Sequence, residues 1–99
     1  MISYLLAIQN FTKAIEIKPN YEDAYIYRGV SKVELTKYSE AILDFTKAIK
    51  INPNLTQAYT KRGIGKSNLG DKIGACLDWN KAVKLGDDKA YKFIKLVCQ

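Results

Sequence analysis

The feature that most constrains this chain is that it resembles itself after a shift of 34 residues. Tyr21 to Asn54 and Leu55 to Asp88 agree at 12 places, where unrelated chains of this length would agree at roughly two. The agreements include Ala24-Tyr25 with Ala58-Tyr59, Arg28-Gly29 with Arg62-Gly63, Ala41 with Ala75, Leu43-Asp44 with Leu77-Asp78, and Lys47-Ala48 with Lys81-Ala82. Tyr4 to Asn20 matches Tyr38 to Asn54 at 11 of 17 places, so the chain opens halfway through a unit. Downstream, Ala90-Tyr91 restarts the unit two residues early, because the turn Gly86 to Lys89 is shorter than Asn52 to Gln57.

Within one unit, Ala24, Tyr25, Arg28, Gly29, Lys32, Val33 and Leu35 fall at steps of three and four, which gives a helix one packed face. Ala41, Ile42, Phe45, Ala48, Ile49 and Ile51 mark a second such helix. Pro53 stops it, since proline has no N–H to continue the ladder and pushes Asn52 out of the helical region. Gly70 and Gly86 supply the turns of the later units. The pattern predicts helices near residues 3–17, 22–35, 38–51, 56–69, 72–85 and 88–98.

Small Gly29 and Gly63 facing small Ala41 and Ala75, the aromatics Tyr25, Tyr59, Phe45 and Trp79, and the closing Pro53 together resemble the tetratricopeptide repeat. The resemblance implies an all-α, right-handed solenoid of antiparallel helix hairpins, about six helices in one domain over 1–99. Its parts would be the second half of a repeat (3–20), full repeats at 21–54 and 55–87, and a C-terminal capping helix (88–99). Arg28 and Arg62 depart from the family's usual leucine, and Asp87 from its usual proline; repeats with the Arg-Gly pair are common among bacterial members.

In each full repeat an arginine is followed sixteen residues later by an aspartate, Arg28 by Asp44 and Arg62 by Asp78, whereas the opening half repeat carries Asn10 at that place. This suggests a coupled pair in which the arginine stem packs into the hairpin and the guanidinium meets the carboxylate. Two exposed arginines are the competing reading.

The resemblance also assigns a concave face to the first helix of each pair, where related proteins bind peptides or helices. Projected along the chain, that face comprises Asp23, Ile26, Tyr27, Val30 and Glu34, then Gln57, Thr60, Lys61, Ile64, Ser67 and Asn68, then Lys92, Phe93 and Leu96. The groove candidates are Tyr27, Val30, Glu34, Lys61, Ile64, Asn68, Lys92 and Phe93, with Tyr27 and Phe93 as aromatic anchors and Lys61 and Lys92 placed for a carboxylate. Of the residues with which some relatives grip chaperone tails, only Lys61 is matched, and Tyr27 stands where an asparagine is usual. Chaperone-tail binding is therefore not expected.

Catalysis is not expected either. There is no histidine, no glycine-rich phosphate loop and no nucleophile or metal-ligand motif, so neither cofactor nor metal is called for. Cys76 and Cys98, widely separated and without a CxxC spacing, read as small apolar residues rather than as a disulfide or redox pair. The net charge of +6 is dispersed, with no more than two basic residues together, so a solvated lysine-rich surface is expected and nucleic-acid binding is not. Apolar runs such as Tyr4 to Ile8 fall well short of the roughly 20 residues of a membrane span, and the N-terminal residues lack the pattern of a secretory signal. A cytoplasmic location is the expectation.

The opening helix brings Ala7, Phe11 and Ala14, with Leu5 and Leu6 beside them, to a face that a preceding helix would cover in a whole repeat. A second copy packed symmetrically, an exchange of helices or protein preceding this sequence could cover it, and self-association through Leu5, Leu6 and Phe11 into a homodimer is the leading expectation. The leading expectation is thus a protein-interaction scaffold, and the alternative is a self-assembly element.

Overall fold

A computed structural model describes residues 3–99; Met1 and Ile2, the first two residues of the expected domain, lie outside the described residues. Six helices follow one another: α1 (Tyr4–Ile17), α2 (Glu22–Glu34), α3 (Tyr38–Ile51), α4 (Thr56–Asn68), α5 (Lys72–Lys84) and α6 (Ala90–Val97). Each packs against the next in sequence, and α2 also meets α4, so the first helices of successive hairpins form one layer and the second helices another. The result is a short solenoid with principal extents of 41 × 27 × 21 Å.

The helix boundaries have local causes. Ser3 caps α1 by accepting the Leu6 N–H at 3.2 Å, and Asp71 caps α5 by accepting the Gly74 N–H at 2.9 Å. The hairpin turns end α2 and α4 in the same way: Lys37 N–H reaches the Lys32 carbonyl and Asp71 N–H reaches that of Lys66, each at 2.8 Å. This closure needs one residue with positive φ, which is Gly70 (φ 87°) in the second hairpin and Thr36 (φ 59°) in the first. The last helix starts at Ala90 rather than at 88. Asp87 and Asp88 are used in the turn, where the Asp87 carboxylate and carbonyl accept the N–H groups of Lys89 and Ala90 at 3.1 Å each.

The core is built from alanines that let helices approach. Ala24, Ala41, Ala48, Ala58, Ala75, Ala82 and Ala90 are all buried, and the space beside them is filled by Ile26, Phe45 and Trp79. A β-carbon on Gly29 would stand 2.6 Å from the Phe45 ring, and one on Gly63 would stand 2.5 Å from Trp79 Nε1. The sequence pattern set these glycines against Ala41 and Ala75; the atoms nearest to them are those of the aromatic rings, which use the space that a side chain there would take. Trp79 also donates its Nε1–H to the Thr60 carbonyl at 3.1 Å.

One expectation is overturned. Cys76 and Cys98 are joined in a disulfide, their Cα atoms 5.9 Å apart, which ties α5 to the residue following α6. Separation in sequence concealed this: the antiparallel packing of α6 on α5 returns Cys98 to the level of Cys76.

Candidate interaction groove

Two features organise the site: polar clasps that fix the hairpins, and a groove along α2, α4 and α6. In the first clasp, Arg28 donates from Nε to Asp44 Oδ2 at 3.0 Å and from Nη2 to Oδ1 at 2.7 Å. Its Nη1 donates to the Thr12 hydroxyl at 3.2 Å, and Lys32 Nζ meets the same aspartate at 3.1 Å. The second clasp repeats every partner after one unit: Arg62 to Asp78 at 2.8 and 2.7 Å, Arg62 to Thr46 at 3.2 Å, Lys66 to Asp78 at 3.2 Å. Tyr25 and Tyr59 lie beside the guanidinium groups with their ring centroids 5.5 and 5.6 Å away.

Both aspartates are buried, which would be costly for a bare carboxylate; the fork of Arg donors plus a lysine satisfies them. The hydrogen bond to Asp44 raises the pKa of Arg28 and that to Asp78 raises the pKa of Arg62, outweighing the opposing effect of burial. The coupled pair expected from the sixteen-residue spacing is thus present in both repeats. The threonine and lysine partners were not anticipated, although Thr12/Thr46 and Lys32/Lys66 repeat with the same period.

The groove holds two adjoining depressions. The larger, about 450 Å³, lies between α4 and the α6 region and is lined by Lys61, Ile64, Asp87, Lys89, Lys92 and Phe93, with Thr56, Gln57 and Thr60. The smaller, about 180 Å³, is lined by Val30, Val33, Glu34, Phe45, Lys61 and Ile64. Lys61 and Ile64 belong to both, so the two form one track with an apolar floor.

Charge is distributed unevenly along that track. Lys61, Lys89 and Lys92 surround the larger depression, and none of them forms a salt bridge among the described residues. Its one carboxylate is engaged: Asp87 accepts the Thr60 hydroxyl at 2.5 Å and the Lys89 N–H at 3.1 Å. The depression therefore presents ammonium groups beside an aromatic ring. Phe93 is not a free anchor, because it stacks on Trp79 with centroids 5.2 Å apart and carries Lys92 Nζ 5.3 Å from its own centroid.

The structure gathers Val30, Glu34, Lys61, Ile64, Lys92 and Phe93 along this track and leaves two candidates away from it. Tyr27 is turned toward the opening helix, its ring 5.7 Å from Phe11. Asn68 donates its side-chain amide to the Ile64 carbonyl at 2.8 Å and lines neither depression. Ile26, also projected onto the concave face, is buried with Ala48 and Ala58. Lys89 was missed although, with Ala90-Tyr91 aligned on Ala24-Tyr25 and Ala58-Tyr59, it stands at the place of Asp23 and Gln57, both projected onto the concave face.

At the other end, Leu5 and Leu6 are 61% and 55% exposed, and α1 contains no buried residue. Phe11 occupies the place of Phe45 and Trp79 but, among the described residues, packs against α2 alone, with Tyr27 against it. No group of three or more metal-ligating side chains occurs among the described residues, and no described helix is long and apolar enough to cross a membrane.

Residues 22–55 match the sequence profile of the tetratricopeptide repeat. No curated protein sequence matches the chain. Among solved structures, the chain is similar to the Arabidopsis OM64 TPR domain, at 26% identity and TM-score 0.92 over 95% of this chain and 79% of that one. It is also similar to the first TPR of Spaghetti (RPAP3) bound to HSP90 peptide SRMEEVD, at 24% identity and TM-score 0.93 over 97% and 78%. A third likeness is to the second TPR domain of human RPAP3 in complex with HSP70 peptide SGPTIEEVD, at 24% identity and TM-score 0.91 over 97% and 82%.

Proposed function

From the premise that this chain carries the tetratricopeptide repeat and has the fold of tetratricopeptide-repeat domains, we propose that it is a protein-interaction scaffold whose concave groove holds a peptide or helix. The observation that carries this reading is the track through Lys61 and Ile64, apolar along its floor and ringed by three lysines at its α6 end. Such a surface fits a segment with an apolar side chain for the Val30–Ile64 depression and carboxylates for Lys61, Lys89 and Lys92. The peptides in the two RPAP3 complexes are acidic at their C-terminal ends, which supports a ligand of the same charge without identifying it. Glu34 at the far end of the track discourages a ligand that is acidic throughout. Catalysis forms no part of the proposal, and we place the chain in the cytoplasm.

Fluorescence anisotropy with three labelled dodecapeptides, sharing one apolar pair and differing in being acidic, neutral or basic, tests it. The acidic peptide binds tightest, its affinity falls with salt, and Lys61→Glu with Lys92→Glu weakens it at least tenfold, since each lost charge contact is worth about 1 kcal/mol or more. Equal affinities for the three peptides, or none at all, overturn the reading.

The exposure of Leu5 and Leu6 on a helix with no buried residue supports a second reading, a homodimer joined through Leu5, Leu6 and Phe11. Light scattering at micromolar concentration distinguishes them: a stable monomer ends the dimer proposal and leaves the groove untouched.

A further inference from the structure

The last helix is held differently from the others. Aligning Ala90-Tyr91 with Ala24-Tyr25 and Ala58-Tyr59 puts Ile94 where α2 and α4 carry Arg28 and Arg62, and Cys98 where they carry Lys32 and Lys66. So neither place carries a cation of the clasp with which α2 and α4 hold the helix after each of them and, through the arginine, a threonine of the helix before. It is eight residues long, well below the length at which a helix holds its shape unaided, and only Ala90, its first residue, is buried. Beyond Ala90, it is anchored by Phe93 stacked on Trp79, by Ile94 and Val97 half-buried against the Ala75, Trp79 and Ala82 cluster, and, at the far end, by the Cys76–Cys98 disulfide. The covalent bond joins this end of the chain to the helix before it, whereas each Arg–Asp fork joins a first helix to the helix after it.

That bond is reachable. Both cysteines line an open surface depression of about 490 Å³ with Lys72, Ile73, Leu77 and Asn80. Lys72 Nζ lies 3.4 Å from the carbonyl of Gln99, which keeps a cation beside the pair, and a nearby cation favours the thiolate that exchange chemistry requires. The same helix supplies Lys92 and Phe93 to the larger groove depression, and the turn before it supplies Asp87 and Lys89.

We propose that Cys76 and Cys98 form a reversible redox latch that sets whether α6 stands as a wall of the groove. Closing is thiol–disulfide exchange with a low-molecular-weight disulfide. One cysteine thiolate attacks the disulfide, forming a mixed disulfide and releasing one small thiolate; the second cysteine thiolate then attacks the protein-side sulfur and releases the other. Two cysteines are oxidised, one small disulfide is reduced to two thiols, and the two cysteine protons end on the released thiolates. In a reducing compartment the latch rests open, α6 loosens, and the lysines around the depression lose their common frame. The consequence for ligand binding rests on the groove reading above; the latch itself does not.

Hydrogen exchange on the full chain, equilibrated with reduced and oxidised glutathione at several ratios, tests it, with intact mass reporting the loss of two hydrogens as the bond closes. In reduced protein and in Cys98→Ser, amides of α6 exchange on the order of 10- to 100-fold faster than in oxidised protein, while those of α3 and α4 are unchanged. The emission of Trp79, the one tryptophan, shifts to the red as Phe93 leaves it. Failure of the two thiols to oxidise in glutathione disulfide, or equal α6 protection in the two redox states, overturns the latch. Adding the acidic dodecapeptide separates the readings: a working latch with no peptide bound in either state sinks the groove and spares the latch.

Discussion

The α2–α3 and α4–α5 hairpins reach one geometry with partly different residues, and the differences show which contacts the fold demands. Both keep the Arg–Asp fork, with corresponding distances within 0.2 Å: 3.0 and 2.7 Å in the first, 2.8 and 2.7 Å in the second. Both keep a glycine under an aromatic ring, but the ring is Phe45 in one and Trp79 in the other, and only the indole can donate to a backbone carbonyl. The turn is freer still, accepting Thr36 where the second hairpin has Gly70. The groove positions differ most: Lys61 lines the track where its counterpart Tyr27 turns to Phe11, and Glu34 lines it where Asn68 does not, while Val30 and Ile64 both stay apolar. Constraint therefore falls from the clasp to the wedge to the turn to the groove.

Removing the clasp is the largest perturbation of that ranking. Asp44→Ala and Asp78→Ala each take the shared carboxylate from a partly buried arginine and lysine, Lys32 keeping only Glu40 at 3.9 Å, and should lower stability by about 3 kcal/mol in urea unfolding. Costs differing by more than about 1 kcal/mol would break the equivalence of the two hairpins. A double-mutant cycle on Arg62 and Asp78 sharpens it, with an expected coupling of about 2 kcal/mol. Next come the wedges: Gly63→Ala should cost about 2 kcal/mol, after the gain in helix propensity is set against overpacking, and Gly29→Ala somewhat less, because the larger, hydrogen-bonded indole has less freedom to retreat than the benzyl ring. The smallest effect has the opposite sign. Thr36→Gly relieves a left-handed residue and should raise the urea midpoint by the equivalent of about 0.5 kcal/mol, since most of the relief is offset by added entropy of the unfolded chain.

What could be read from the sequence was whatever the period carried. Helix ends agreed within a residue or two because proline, glycine and the capping residues act locally, and Arg28–Asp44 was legible because its partner recurs sixteen residues on in both units. The disulfide was not legible, as it occurs once and its cysteines lie 22 residues apart across a shortened turn. Lys89 lay within reach of the period, at the place of Asp23 and Gln57, but its residue type changes at every recurrence and so left no repeated signal. Tyr27 was assigned to the groove by its register alone, which cannot register that Phe11 offers its ring a neighbour.

The three-way reach of each guanidinium has a consequence for how the molecule comes apart. Arg28 bridges α1, α2 and α3, and Arg62 bridges α3, α4 and α5, so α3 is a member of both sets. Stacked arrays owe their cooperativity to energy stored between neighbours rather than within them, and here two knots with a helix in common add to the apolar packing between helices. Peeling from either end must undo a knot that also secures α3, so α1 to α5 melt in a single transition instead of fraying hairpin by hairpin.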